Sequence, residues 1–84
     1  MPYIRQVERN AVDKQVDELS KIICHDGQLN YVITRLCYNW LINVGTKYTR
    51  LNQLIGVLEC AKLEFYRRKC APYEDEKIKE NGDV

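Results

Sequence analysis

Apolar positions recur at helical intervals through most of the chain. Val12, Val16, Leu19 and Ile23 are spaced by 4, 3 and 4, with Asp13, Lys14, Asp17, Glu18 and Lys21 between them. That spacing predicts a one-sided amphipathic helix near 10–24. Asn10 suits its N-cap, with Asp13 at the third helical position, where a carboxylate favours a helix N-terminus. Asp26-Gly27 is the expected stop, and His25 the cation-capable residue at the carbonyl end. A second helix is predicted near 28–44, with Leu29, Val32, Ile33, Leu36, Trp40 and Leu41 on one face and Gly45 closing it. Tyr31 to Thr34 are strand-favouring residues. The 3.6-residue pattern running on to Leu41 decides for helix.

The third segment organises the rest. From Leu51 to Cys70, Leu51, Leu54, Ile55, Leu58, Ala61 and Phe65 form one face, and Val57, Cys60, Leu63 and Tyr66 widen it to a narrow polar remainder. A helix apolar on most sides must be covered on most sides. A central helix is therefore expected near 49–70, with Thr49 as N-cap and a length of about 30 Å. The short link from Gly45 to Thr49 makes it an antiparallel neighbour of the second helix. Gly56 inside it costs about 1 kcal/mol of helix propensity. With Cys60 one turn on, it marks a smooth patch where another helix, from the same chain or a second copy, can approach closely. Pro72 is expected to break or kink the helix, and a short fourth helix follows, closed by Asn81-Gly82. The fold class is all-α, a small bundle of three main helices plus a short C-terminal helix, and residues 1–84 form one domain. The first nine residues, with Tyr3, Ile4 and Val7, are expected to pack as an arm.

Charge alters this picture locally. The net charge is +1. Residues 46–70 nevertheless hold six basic and two acidic side chains, and residues 71–84 two basic and five acidic. The expectation is that the tail folds back over the third helix, of its own chain or of a partner, and masks Arg67 and Arg68. Glu64, Arg67 and Arg68 stand at helical spacing and form the candidate ligand or partner surface; their plainer reading is an intrahelical ion-pair set. The four cysteines have no CxxC spacing, so free thiols are expected and no metal ligands are assigned. No secretion signal and no span of membrane length is present, which predicts a cytoplasmic protein.

The segments LNYVIT (29–34), IGVLECAKLEFYRR (55–68) and APYEDEKIKENGDV (71–84), with the opening MPYI, resemble a family of small uncharacterised proteins of bacterial and phage genomes. The resemblance covers most of the chain. It implies a small, all-helical, phage-borne protein of unassigned role, and carries over no catalytic or binding residue.

Three functions compete. The first is a non-catalytic interaction or regulatory module acting as a homodimer or larger oligomer, because the third helix has more apolar surface than two flanking helices can cover. The second is nucleic-acid binding through Arg67, Arg68 and Lys69 with Tyr66, Lys47, Arg50 and Lys62. It ranks lower, since cations at a helix C-terminus are expected for dipole reasons and an acidic segment follows. The third is an enzyme resembling the all-α nucleotide pyrophosphohydrolases, whose metal sites use E-E-x-x-E and E-x-x-D elements. Glu80-Asn81-Gly82-Asp83 matches the second in letters; Glu59 and Glu64, five apart, do not supply the first. No catalytic residue, cofactor or metal is assigned.

Overall fold

The computed structural model describes residues 2–84. Among them every regular element is helical: α1 (Gln6–Ser20), α2 (Asp26–Val44), α3 (Tyr48–Phe65), a π-helical turn (Tyr66–Cys70) and α4 (Ala71–Asn81).

Helix α1 begins four residues before the expected Asn10. Its N-cap is Arg5, in extended conformation. The capping group comes from inside the helix: the Glu8 carboxylate accepts the Arg5 backbone N–H at 3.1 Å, the third-position half of a capping box. Asn10 lies within the helix and accepts from Gln6 Nε2 at 2.9 Å. α1 also stops sooner, at Ser20, so Asp26-Gly27 opens α2 and does not end α1. His25 is correspondingly the N-cap of α2, where its Nδ1 accepts the Gln28 N–H at 3.2 Å. Gln28 Oε1 in turn accepts the Cys24 N–H at 2.8 Å. His25 satisfies one of the orphan N–H donors of the first helical turn, and Gln28 reaches back to the N–H that precedes the cap.

In α2 the Tyr31–Thr34 tract is helical throughout. Thr34 turns its hydroxyl back to the Asn30 carbonyl at 2.9 Å, the i−4 bond that gives a helical Thr hydroxyl a partner. Gly45, at φ 88°, closes the helix by donating its N–H to Leu41 at 2.8 Å. Only Gly, with no Cβ, takes that backbone without strain. Helix α3 starts at Tyr48 with Lys47 as N-cap, so Thr49 lies inside it. Ile33, Cys37, Leu54 and Leu58 border both grooves that flank the α2–α3 contact. They mark the seam of an antiparallel hairpin, as the short connection predicts.

Pro72 does not break the chain's course. The helix widens before it: the Ala71 N–H bonds to the Tyr66 carbonyl, five residues back. That one wide turn carries the backbone to a residue that has no N–H to donate. α3, the π-turn and α4 together hold 34 residues from Tyr48 to Asn81. At 1.5 Å each they span about 51 Å, matching the molecule's longest dimension of 50 Å. α4 therefore projects onward, and the expected fold-back of the tail over its own α3 does not occur.

No described side chain is fully buried. Val32, Cys37, Trp40, Leu41 and Leu54 along the hairpin are half-buried. Among the described residues, α1 joins the rest chiefly through its flanks: Leu19, with Ile22 and Ile23 beyond the helix end, borders a groove with Tyr31 and Val32, and the arm preceding α1 reaches α3. The coverage expected around α3 is thus missing among the described residues, where Ile55 is 67% and Phe65 64% exposed. The accessible surface is 7638 Å², against about 5,200 Å² for a compact monomer of this mass. The radius of gyration is 16.4 Å, against about 12 Å for a compact domain of this length.

Candidate functional site

The structure gathers Glu64, Arg67 and Arg68 at the junction of α3 and the π-turn. Glu64 and Arg67 are three apart and Glu64 and Arg68 four apart, neighbouring positions on a helix surface. Arg67 Nη2 donates to both Glu64 oxygens, at 2.9 and 3.1 Å. Arg68 Nε lies 3.6 Å from the same carboxylate. The Glu64 side chain is only 21% exposed, and the two arginines are mostly in solvent. Two guanidinium groups share one carboxylate, so the cluster keeps a net positive outer face.

Tyr3 completes the cluster, and nothing in the spacing of the sequence marks it as a member. Its hydroxyl donates to Glu64 and accepts from Arg68 Nη1 at 3.3 Å. The Arg68 guanidinium stands 5.9 Å from the Tyr3 ring centroid, within cation–π range. Pro2 lies beside Leu63 and Cys60. The Arg9 Nε–H donates to the Ile4 carbonyl at 2.8 Å and holds the arm's exit into α1. The expected nine-residue arm is shortened to the residues before Gln6, anchored by Tyr3 at the candidate site, while Val7 belongs to α1 and is 65% exposed.

Across the π-turn, Tyr66 donates its hydroxyl to Glu74. That hydrogen bond, and then the carboxylate's negative charge, raise the Tyr66 phenol above its usual 10.0, because both disfavour a phenolate. Glu74 is thus bound to Tyr66; Arg67 and Arg68 are paired with Glu64.

Gly56 and Cys60 lie four residues apart on α3. A Cβ added at Gly56 meets nothing within 4 Å, so no helix of its own chain crosses there. Cys60 is exposed, and all four cysteines are free thiols. Among the described residues no group of three or more His, Cys, Asp or Glu side chains is placed to hold a metal ion.

The other readings meet specific geometry. Lys47 and Arg50 sit at the start of α3, about 25 to 30 Å along the helix from Arg67, so the basic residues do not form one patch. Glu59 pairs with Lys62 at 3.0 Å and Glu80 with Lys77 at 3.0 Å. With Glu64 held by Arg67, these carboxylates are each engaged within their own helix. Asp83 lies beyond the end of α4. No helix among the described residues is long and apolar enough to cross a membrane.

These features define a small all-α protein: an antiparallel hairpin whose second helix continues through a π-turn into a projecting α4, with an N-terminal arm pinned at the turn. The profile described as Domain of unknown function (DUF6899) matches residues 1–84, and the chain belongs to that family. No curated protein and no solved structure matches it.

Proposed function

We propose that this protein is a non-catalytic, self-associating helical interaction module whose fold is completed by a second copy of the chain. The observation that carries this reading is the absence of any fully buried side chain among the described residues. Apolar burial is the main favourable term in folding, and a chain that buries little has little to offset its conformational entropy. The accessible surface exceeds that of a compact monomer by about 2,400 Å² per chain. That excess is on the scale of the extensive interfaces of obligate homodimers. Twofold dimers are the commonest assemblies of identical chains. On this reading the smooth patch at Gly56 and Cys60, left open by its own chain, is available to a helix of the second copy. The resemblance of its segments supports a phage-borne module. Nucleic-acid binding ranks behind it, because the cations are divided between the two ends of α3.

Light scattering coupled to size exclusion, with thermal melting at several protein concentrations, tests the proposal. The expected result is a dimer or larger assembly whose melting temperature rises with concentration. A monomer with a concentration-independent melting temperature would overturn it.

A further inference from the structure

We infer that two copies associate with their α3–π–α4 rods antiparallel, the acidic α4 of each lying along the basic end of α3 and the π-turn of the other. This rests on the self-association proposed above and adds its orientation. Three observations carry it.

First, the rod is divided in charge at its own joint. From Glu64 to Cys70 it holds three cations against one carboxylate; from Glu74 to Glu80 it holds four carboxylates against two lysines. The residual charges are equal in size and opposite in sign. Second, in-chain pairing does not remove them. Arg67 and Arg68 share Glu64. Lys77 and Lys79 are taken by Glu80 and Glu76. The side chains of Lys69 and Asp75 enter no hydrogen bond or ion pair among the described residues. Third, α4 packs on no element of its own chain other than the turn from which it springs. Its Tyr73 and Ile78 are 63% and 43% exposed.

A twofold axis near the joint answers all three at once. An antiparallel pair places each negative half beside a positive half, twice over, as isologous symmetry requires. It also brings Tyr73 and Ile78 toward Leu63 and Phe65 of the second copy. A parallel pair would set α4 against α4 and like charge against like. Exposed pairs supply little energy singly; their part is to select orientation and register, while apolar contact supplies the affinity.

The test uses variants carrying Lys69→Glu or Asp75→Lys, whose native side chains make no bond among the described residues, and the stronger pairs Arg67→Glu/Arg68→Glu and Glu74→Lys/Asp75→Lys. Circular dichroism establishes that each remains helical. Alone, each variant should associate about tenfold more weakly than the unmodified chain at low salt. Mixed in equal amounts, a basic-end and an acidic-end variant should recover association as a heterodimer, because their reversed charges are complementary only between chains. Mixtures no tighter than the separate variants, or variants that associate like the unmodified chain, would overturn the antiparallel pairing and leave self-association standing. A monomeric unmodified chain would remove both. Gain of duplex-DNA binding by Glu74→Lys/Asp75→Lys without recovery on mixing would assign the basic end to nucleic acid and overturn the pairing.

Discussion

Tyr3 donates its hydroxyl to Glu64, sixty-one positions further along the chain. This bond, with the Arg68 guanidinium over the ring, is what ties the arm before α1 to the far end of α3. Tyr3→Phe keeps the ring and removes the donor. It should cost about 1 kcal/mol at most, because the bond is solvent-exposed and water can replace it. Hydrogen exchange in the first turn of α1 should quicken while α2 is unaffected. Unchanged exchange in residues 4–9 would show that the arm is held by Pro2 and ring packing alone.

The bond from Tyr66 to Glu74 gives the joint between α3 and α4 a pH dependence. Its phenol is raised above 10.0 by that bond and by the carboxylate's charge. A raised value stabilises the folded form while the phenol keeps its proton, and the contribution is lost as pH climbs through the raised value. Helix content at the joint should therefore hold through neutral pH and fall above about pH 10. Tyr66→Phe should lose less helix in that range. Equal alkaline loss in both proteins would remove Tyr66 from the account.

Leu54 borders both grooves of the α2–α3 hairpin. Leu54→Ala should cost about 2 kcal/mol, the lower end for such truncations, since the side chain is only half-buried. Chemical denaturation at fixed protein concentration measures it. A loss below a few tenths would mean that the seam does not hold the hairpin.

At Gly56 the chain itself leaves room for a side chain. Gly56→Leu should preserve or raise helix content, because leucine is the better helix former. If the position is a crossing between copies, the same change should weaken association by about 1 to 3 kcal/mol through overfilling. Light scattering over a dilution series separates the two effects. Association equal to that of the unmodified chain would place Gly56 outside the interface.

The helices were legible because their apolar spacing is regular and long. Gly45 was legible as a stop because a positive φ selects glycine. The start of α1 was not, since its cap is Glu8 acting from within the helix while Arg5 carries no capping signature. His25 was misplaced for a related reason: imidazole caps α2 through a ring nitrogen that composition rules credit to helix ends of the opposite sign. Pro72 reads as a breaker wherever helices are assumed to be uniformly α. The wide turn before it changes the bonding pattern, and the rod continues. The grouping of Glu64, Arg67 and Arg68 followed from local spacing, whereas Tyr3 joined them through a contact that no local pattern encodes.

The π-turn has a consequence for how this chain tolerates change. Each residue of an α-helix advances the side-chain direction by about 100°, and the wide turn holds a surplus residue relative to α spacing. Everything after Cys70 is rotated by roughly that amount compared with an uninterrupted helix. Deleting one residue between Tyr66 and Cys70 would leave the hairpin seam and the charge count of α4 untouched. It would nonetheless swing Asp75 and Ile78 about a quarter-turn around the axis. The turn works as an angular offset between the two halves of the rod, so a one-residue gap there would re-aim the charged face of α4 without changing any of its charges.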